Sequence, residues 1–387
     1  MPDYGHELEQ RRRQGLLRRR RVLQSPQQPC IRVDGNELIG FCSNDYLGLA
    51  NHPEVIAALT EAANRHGVGG GASHLVCGHH QAHEDLEAAL AEFTGRDAAL
   101  LFSTGYMANL GVMAALAGRG DVILQDRLNH ASLIDGARLS DARLRRYAHA
   151  DVEALADHLQ ASDALALVAT DGVFSMDGDT APLGAMAALC RDRDVPLMVD
   201  DAHGLGVLGP EGAGLVAEQG LSQSDVPVLV GTLGKAMGVA GAFVAGSREL
   251  IDYLLQTART GIYTTAMPPA LAAATGRALA ISREESWRRQ HLQRLIRWFR
   301  EEAAQRGFEL MPSATPIQPL VLGSAERALA FSQALERRGI LVTAIRPPTV
   351  PQGTARLRFT FSATHTEDQL RQLLDALEAV RAEVDLG

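Results

Sequence analysis

The most informative residue of this chain is its single lysine. Of the 37 basic residues, 36 are arginine and one is Lys235. Arginine replaces lysine wherever only a positive charge or a donor is needed, but it cannot lose its proton and attack a carbonyl carbon. The retained lysine therefore indicates an amine that is used in chemistry. Taken alone, this composition is explained equally well by one surface lysine left by chance in an arginine-rich chain. The neighbouring residues must decide between the two interpretations.

Three further groups of suitable type each follow a predicted apolar strand. Ser103–Tyr106 open a helix, whose first N–H groups can bind a phosphate. Asp200 supplies an acid, with His203 close behind, and Thr232 precedes Lys235. Ligands of open parallel sheets bind beyond the carboxyl ends of the strands, so these groups are expected to converge. Together they fit pyridoxal phosphate (PLP), which needs a lysine for its Schiff base and an acid at its pyridine nitrogen.

The elements that position these groups are short apolar segments that alternate with helical periodicity from about Asn51 onward. This alternation predicts an α/β fold, with a mostly parallel sheet covered by helices and strands buried on both faces. The predicted strands are Ala98–Phe102, Val122–Gln125, Leu165–Thr170, Val195–Val199, Val226–Val230 and Ala240–Ala245.

A smaller α/β domain is predicted to follow. The helix-rich stretch Ser282–Arg306 leads into it, and a capping box at Thr364 and Glu367 is predicted to open its final helix. Its predicted strands are Gln318–Val321, Ile340–Val342 and Arg356–Phe361. The predicted organisation is an N-terminal arm and helix (1–50), a large PLP-binding domain (51–281) and a small C-terminal domain (282–387).

Two nucleotide-binding motifs fail on inspection. A Walker A loop ending at Lys235 would need glycine where Leu229 stands and a hydroxyl where Ala236 stands. The glycines of Gly67–Ala72 resemble a dinucleotide fingerprint, but they follow the helical pattern Val55–Arg65 rather than a strand. A flexible loop is the favoured interpretation there.

A histidine-rich segment raises the question of a metal site. It contains His74, Cys77, His79, His80 and His83. The spacing matches no tetrahedral zinc pattern, and we expect a loop with a helix start, His83 lying in the helix. We therefore predict no metal site.

Composition excludes several classes of protein. The chain of 387 residues is 46% hydrophobic and 21% charged, as in ordinary globular domains. Its net charge of −9 and 5% aromatic content disfavour a nucleic-acid partner. The four cysteines form no C-x-x-C pair, and no apolar run approaches the roughly 18 residues that a membrane span needs. We expect a soluble, cytoplasmic protein without a disulfide framework or a membrane partner.

Four sequence runs resemble motifs of the α-oxoamine synthases, which are PLP enzymes of the aspartate aminotransferase fold. The runs are Ser43–Gly48 (SNDYLG), Asp171–Gly178 (DGVFSMDG), Val199–Gly204 (VDDAHG) and Gly231–Lys235 (GTLGK). The resemblance covers nearly the whole chain. It implies a PLP-dependent transferase of fold type I, a homodimer with shared active sites.

Two further segments resemble one branch of that family. Ala344–Pro351 (AIRPPTVP) and the N-terminal arm, which carries +4 in its first thirty residues against −13 in the remainder, are similar to enzymes that join L-alanine to a pimeloyl thioester. The acyl carrier would be coenzyme A or a carrier protein. This implies an acyltransferase of biotin biosynthesis.

The resemblance assigns residues to the cofactor. Lys235 would form the Schiff base, Asp200 would pair with the pyridinium nitrogen, and His130 would stack on the ring. His203 and Ser175 match positions around the ring oxygen. The residues matching the phosphate grip are Gly105, Tyr106, Thr232 and, from a neighbouring subunit, Thr264. Lys235, His130, Asp200 and His203 are the predicted catalytic residues.

The resemblance also assigns residues to the substrates. Arg358 matches the arginine that holds the amino-acid carboxylate. The other predicted substrate contacts are Asn44, His130, Thr349 and Arg18, for which Arg19 is an alternative because four arginines adjoin. The alternative interpretation of Arg358, without a functional role, is a surface charge on a strand edge.

Two classes of alternative stay open. Sister enzymes join glycine to acetyl- or succinyl-CoA, as glycine C-acetyltransferase and 5-aminolevulinate synthase types do, or serine to a long acyl-CoA. A more remote alternative is a PLP-binding protein without activity. Lys235, Asp200, His130, His203 and Arg358 together argue against such a loss of activity.

Overall fold

The computed structural model describes residues 3–13 and 16–385. The chain divides into two compact units, one of residues 45–291 and one of residues 1–44 together with 292–387. This division differs from the predicted separate arm of residues 1–50. The reason lies in sheet pairing, because an N-terminal strand, Asn36–Gly40, pairs with a C-terminal one, Ile340–Leu341.

The described residues form thirteen strands and fourteen α-helices. The strands are β1 Cys30–Val33, β2 Asn36–Gly40, β3 Ala98–Phe102, β4 Val122–Asp126, β5 Arg143–Tyr147, β6 Leu165–Asp171, β7 Leu197–Asp200, β8 Val228–Thr232, β9 Ala242–Gly246, β10 Ile317–Gly323, β11 Ile340–Leu341, β12 Thr343–Ile345 and β13 Ala355–Thr360. The helices are α1 Tyr4–Arg13, α2 Pro53–His66, α3 Gln81–Thr94, α4 Gly105–Leu116, α5 Ala131–Leu139, α6 Val152–Gln160, α7 Leu183–Asp192, α8 Leu215–Glu218, α9 Arg248–Thr257, α10 Arg259–Ile262, α11 Pro269–Glu284, α12 Trp287–Gln305, α13 Ala325–Arg337 and α14 Glu367–Asp385.

A seven-stranded sheet organises the unit of residues 45–291. Its strand order is β3-β9-β8-β7-β6-β4-β5. The pairs among β4 to β8 are parallel, whereas β9 is antiparallel to both β3 and β8. The mostly parallel sheet was predicted. The carboxyl ends of β3, β4, β6, β7 and β8 therefore meet at one edge, where the polar groups lie.

Two strands of this sheet begin later than the apolar runs suggested. Val195 and Val226 were predicted as strand starts, but β7 begins at Leu197 and β8 at Val228. Each start directly follows a proline, Pro196 or Pro227, which cannot donate to a sheet ladder.

The edge strand β5 was missed by the sequence analysis. Three of its five residues, Arg143–Tyr147, are arginines, and only Tyr147 is fully buried. An edge strand with a charged face lacks the continuous apolar run by which the central strands were recognised.

The core of the sheet unit lies where α4 and α5 pack on the central strands. Val112 and Leu133 on the helices, and Ile123, Leu167 and Met198 on the strands, are completely buried. This packing holds the strand ends rigidly, which a precise site requires.

The other unit contains two three-stranded sheets, β1-β2-β11 and β10-β13-β12. An aromatic cluster forms its interior, with Phe299 and Phe361 ring centroids 4.8 Å apart. The capping box of α14 was placed wrongly. Thr366 Oγ1 accepts from the backbone N of Gln369, and Gln369 Oε1 accepts from the backbone N of Thr366. Thr366 and Gln369 have the same S/T-x-x-E/Q spacing two residues further on.

Candidate active site

A cavity of about 200 Å³ lies at the carboxyl edge of the seven-stranded sheet. Its lining residues all belong to the unit of residues 45–291 and are Gly105, Tyr106, His130, Ser132, Asp171, Ser175, Asp200, Ala202, His203, Thr232 and Lys235. Every cofactor residue predicted from the sequence lines this cavity except Thr264. The convergence follows from the parallel topology, because each residue sits at or just after a strand end.

The Lys235 amine is held by a chain of polar side chains. Its Nζ lies 2.8 Å from His203 Nε2, and His203 Nδ1 lies 2.7 Å from the hydroxyl of Tyr46. Tyr46 is completely buried. This contact was not predicted, although Tyr46 lies inside one of the quoted motifs. The amine thus has a fixed direction and a neighbour that can exchange a proton with it.

Asp200 is the last residue of β7 and is 7% exposed. Its Oδ1 accepts from the backbone N of Ala202 at 3.1 Å, and its Oδ2 accepts from Nδ2 of Asn109 at 2.6 Å. These donors stabilise a carboxylate in a buried place. Asn109 was missed, because nothing in the helix pattern of α4 marks it.

The N-terminus of α4 points its backbone donors at the same cavity. Thr104 caps the helix by accepting from the backbone N of Met107. In the described part of the chain no hydrogen bond occupies the N–H groups of Gly105 and Tyr106, which both line the cavity. Two such donors at a helix N-terminus suit a phosphate group.

His130 and Asp171 lie on neighbouring parts of the lining. The backbone N of His130 donates to Asp171 Oδ2 at 2.7 Å. Burial, followed by the nearby charge of Asp200, raises the pKa of Asp171 well above its ordinary value. The ionised form of Asp171 is therefore disfavoured, since two close carboxyl groups resist double ionisation. Its role was not predicted, although it begins a quoted motif.

The donor set fits PLP. An amine that can form a Schiff base, a buried and hydrogen-bonded carboxylate, and a helix N-terminus for the phosphate line one cavity. Lys235 would hold the aldehyde carbon, Asp200 the pyridine nitrogen, and Gly105, Tyr106 and Thr232 the phosphate.

Apart from His130, the predicted substrate residues lie in the unit of residues 1–44 and 292–387. Both terminal nitrogens of Arg358 donate to Asn44 Oδ1 at 3.4 Å. Arg358 is 8% exposed, so it is not a surface charge on a strand edge. Arg18, Arg19 and Thr349 line a separate cavity of about 1010 Å³ in that unit.

The structure brings three histidines of the histidine-rich segment together. The Nδ1 atoms of His74 and His79 are 2.8 Å apart, and a nitrogen of His83 lies within 4.8 Å of both rings' ligand atoms. His83 lies in α3, as predicted. Its Nδ1 accepts from the backbone N of His80 and its Nε2 donates to the carbonyl of Met267. Both ring nitrogens of His83 are thus engaged in hydrogen bonds with backbone groups, one at the start of α3 and one at Met267.

A stability prediction arises beside His203. A Cβ on Gly204 would lie 2.1 Å from Asp201 Oδ1, and Asp201 Oδ2 holds the backbone N of Leu215 at 2.6 Å. We expect Gly204→Ala to destabilise the protein by about 2 kcal/mol, as overpacking does. Chemical denaturation measures this. The control is Gly276→Ala in α11, where a Cβ meets no atom within 4 Å; it should stabilise the protein by up to about 1 kcal/mol. Equal stability of both variants contradicts the prediction.

A second stability prediction concerns His149. Its Nδ1 lies 3.0 Å from Asp126 and its Nε2 2.7 Å from Asp179. Burial opposes ionisation, but these two carboxylates raise the pKa of His149 to about 10. We expect His149→Gln to cost about 2 kcal/mol at pH 7. Because the pKa of His149 is higher in the folded protein than in the unfolded chain, its ion pairs stabilise the fold fully below the unfolded pKa near 6.5. This stabilisation is lost as the pH rises through about 10.

Unfolding free energies of wild type and His149→Gln between pH 6 and 10 test this. The difference between the two proteins should shrink toward pH 10. A difference that stays constant over this range would show that the charged form of His149 does not contribute to stability.

A family model places the chain among known proteins. The model described as "Aminotransferase class I and II" matches residues 36–377. None of the helices in the described ranges is both long and apolar enough to span a bilayer.

Relatives and solved structures extend this match. The chain is 59% identical to an 8-amino-7-oxononanoate synthase of Hahella chejuensis, covering 100% of this chain and 99% of the relative. It is 61% identical to the 8-amino-7-oxononanoate synthase of Marinobacter nauticus, covering 99% and 97%. The structure resembles Sphingomonas wittichii serine palmitoyltransferase with a TM-score of 0.93 at 32% identity, covering 99% of this chain and 98% of that one.

It also resembles the crystal structure of 8-amino-7-oxononanoate synthase from Francisella tularensis, with a TM-score of 0.80 at 32% identity, covering 90% and 99%. Sequence and structure thus agree on fold type I and on a PLP enzyme. The chain belongs to the family of class I and II aminotransferases, in the branch that holds the 8-amino-7-oxononanoate synthases.

Proposed function

We propose that this protein catalyses the PLP-dependent decarboxylative condensation of L-alanine with a pimeloyl thioester. The products are 8-amino-7-oxononanoate, carbon dioxide and free thiol, and the reaction is a step of biotin biosynthesis. The observation that carries the proposal is near-full-length identity of 59–61% to relatives of that name. The cavity around Lys235 supplies the chemistry that this activity requires.

When bound, PLP supplies an aldehyde for the amine and a protonated pyridine ring that withdraws electrons from the amino-acid Cα. Asp200 keeps the proton on the pyridine nitrogen, because its carboxylate is fixed by Asn109 and Ala202. The Lys235 amine removes the Cα proton of alanine, with His203 Nε2 at 2.8 Å to share the charge that it gains.

The remaining steps conserve atoms and charge. The alanine Cα forms a bond to the thioester carbonyl carbon, and the sulfur leaves as a thiolate that takes a proton from solvent. The alanine carboxylate then departs as carbon dioxide, and a proton returns from Lys235 to Cα. Arg358, whose guanidinium is held by Asn44, binds the carboxylate before it leaves.

Serine palmitoyltransferase is the rival suggested by the fold, since its TM-score of 0.93 exceeds the 0.80 of the 8-amino-7-oxononanoate synthase structure. Both solved proteins are only 32% identical to this chain. The fold therefore does not separate them, and the much higher sequence identity to the curated synthases favours alanine and a pimeloyl donor.

Thiol release by the PLP-loaded protein tests the proposal. We expect release with L-alanine and pimeloyl-CoA, and little with acetyl-, succinyl- or palmitoyl-CoA. Serine replaces alanine in a matched set of reactions. Preference for serine with palmitoyl-CoA would overturn the substrate assignment while retaining the chemistry. Failure with coenzyme A donors and release with a pimeloyl-carrier protein would identify the carrier.

We also propose that the enzyme is a cytoplasmic homodimer with shared sites. Thr264 does not line the cavity of its own chain, so a phosphate contact by Thr264 requires a neighbouring subunit. All four cysteines are free thiols, which suits a reducing compartment. Ultracentrifugation tests the dimer. Wild-type PLP affinity in Thr264→Ala would remove its cofactor role.

The arginines of the N-terminal segment carry a prediction about the acyl donor. Arg18 and Arg19 line their cavity together with Leu16 and Leu17. A cavity lined by both apolar and cationic side chains suits an acyl chain that ends in a carboxylate. We expect Arg18→Ala with Arg19→Ala to raise KM for pimeloyl-CoA about tenfold, since a lost charged contact costs about 1.4 kcal/mol or more.

The control is Arg20→Ala, because Arg20 is exposed and is not among the lining residues. Its KM should equal that of wild type. An unchanged KM in the double variant removes the proposed carboxylate contact.

A further inference from the structure

Asn109 connects two parts of the active site, the Asp200 carboxylate and the start of α5 beside His130. It is completely buried in α4. Its Nδ2 donates to Asp200 Oδ2 at 2.6 Å and to Ser132 Oγ at 2.8 Å. An amide nitrogen carries two hydrogens, so both are used. Asn109 therefore links the acid for the pyridine nitrogen to the helix start beside His130.

The orientation of this amide follows from its partners. The opposite orientation would turn Oδ1 toward the Asp200 carboxylate, and two acceptors repel. In the orientation observed, Asn109 Oδ1 is buried and has no hydrogen-bond partner among the residues that the structure describes. Burying an unpaired carbonyl oxygen costs free energy, which an apolar side chain of similar size would avoid. The amide is explained by its two donors rather than by packing.

The hydrogen-bond direction then passes through Ser132 to His130. Ser132 Oγ accepts from Asn109, so its own hydrogen is available for His130 Nδ1, 2.7 Å away. The backbone N of Ser132 also approaches Nδ1, at 3.3 Å. Nδ1 is thus an acceptor from both groups, and a neutral imidazole must carry its proton on Nε2.

The neutral form is favoured at His130. Partial burial lowers the pKa of its imidazole, and the nearby Lys235 charge acts in the same direction against the opposing charge of Asp200. Among the described residues no hydrogen bond engages Nε2 of His130, which lines the cavity. His130 consequently presents an N–H to the ligand in this cavity.

We propose that Asn109 is a positioning residue that sets hydrogen-bond direction at two points of the cofactor cavity. Through Nδ2 it orients the Asp200 carboxylate, and through Ser132 it fixes His130 as a donor at Nε2. The ligand group that His130 meets is then an acceptor, such as a carboxylate or carbonyl oxygen, and His130 is not the base of the reaction. Only the kinetic consequences rest on the proposed function.

Nitrogen NMR of the histidine side chains in the PLP-loaded protein tests the proposal without substrates. In wild type we expect the His130 signals, assigned with His130→Gln, to report an Nε2–H tautomer at neutral pH. Ser132→Ala and Asn109→Leu should each lower the fraction of the Nε2–H tautomer, although the long contact from the backbone N of Ser132, at 3.3 Å, still favours it. Either a wild-type Nδ1–H tautomer or unchanged signals in both variants would overturn the relay.

The contact between Asn109 and Asp200 is tested by a separate measurement. Asn109→Leu should weaken PLP binding and change the absorption spectrum of the bound cofactor, whereas Ser132→Ala should change neither, since it leaves the contact between Asn109 and Asp200 intact. Equal PLP affinity and spectra in wild type, Asn109→Leu and Ser132→Ala would overturn the proposed role of Asn109 at Asp200. Should Asn109→Leu not fold, Asn109→Ala replaces it, and Ser132→Ala still decides the relay.

Gln125→Leu is the matched control. Gln125 is another buried amide, and its Nε2 donates to the carbonyl of Leu133 in α5. Within the described ranges its Oε1 has no hydrogen-bond partner, and Gln125 forms no hydrogen bond with Asp200 or His130, so its removal should leave the His130 signals unchanged. A change as large as that of Asn109→Leu would mean that any lost buried amide disturbs the site, and the proposal would fail.

Exchange of the alanine Cα proton supplies the kinetic readout. Asn109→Leu should slow this exchange about tenfold to a hundredfold, the range typical of residues that orient a ligand group. Adding Ser132→Ala to Asn109→Leu should slow it less than the single effects predict, because the two residues act in one chain of hydrogen bonds. Full additivity contradicts the relay. Exchange needs no acyl donor, so the outcome is independent of the thioester assignment.

Discussion

Replacement of Lys235 by arginine is expected to abolish thiol release while the fold and the net charge stay unchanged. Arginine keeps the positive charge near His203, but its guanidinium neither forms the Schiff base nor accepts the Cα proton. The loss should exceed about a thousandfold, because covalent and general-base contributions disappear together. Thiol release and exchange of the alanine Cα proton are the measurements, and thermal unfolding verifies the fold.

The single lysine makes the control unusually direct. Borohydride reduction of the PLP-loaded wild type should add the cofactor mass to the peptide that contains Lys235. Arg20→Lys introduces a second lysine at an exposed position; this variant should keep full activity, with the label still on Lys235. Appreciable turnover by Lys235→Arg, or labelling that moves to the new lysine, contradicts the assigned role.

Replacement of Asp200 by asparagine is expected to produce the second largest loss. The amide keeps the shape of the cavity and still accepts from the backbone N of Ala202, but it carries no charge to hold the pyridine proton. The barrier for removal of the alanine Cα proton should rise by about 3 kcal/mol, comparable to the loss of one preorganised electrostatic contact. Isotope exchange at Cα in PLP-loaded protein measures this step separately from acyl transfer.

Asp171→Asn is the matched control for that experiment. Asp171 and Asp200 are register partners on β6 and β7 and line the same cavity. Burial and the Asp200 charge raise the pKa of Asp171 well above its ordinary value, so its ionised form is disfavoured. Asparagine is uncharged and preserves the acceptor for the His130 backbone. The loss should be much smaller than in Asp200→Asn; equal losses, or near-normal exchange in Asp200→Asn, would remove the special role of Asp200.

The central strands could be predicted because they are buried on both faces. β3 was predicted with its observed bounds, and β4 and β6 each extend one residue further. The edge strand β5 was missed because its arginines break the apolar pattern. The capping box was placed two residues early, since Thr364 and Thr366 are each followed at the third position by a suitable partner and only the backbone path distinguishes them.

The chemistry of the site could be predicted from residue types and their order along the chain. A lone lysine, an acid after one strand and small residues at a helix start indicate PLP, and parallel topology forces strand ends to one edge of a sheet. Motif resemblance added His130, His203 and Ser175, which the structure places around the cavity.

How these groups are held depends on contacts between segments that are far apart in the chain. Tyr46 meets His203 across 157 positions of sequence, and Asn109 meets Asp200 across 91. Such contacts depend on the direction of single side chains within packed helices and strands, which neither periodicity nor spacing encodes. The raised pKa of Asp171 and the hydrogen-bond direction at His130 arise from the same cause, because burial and neighbouring charges exist only after the chain has folded.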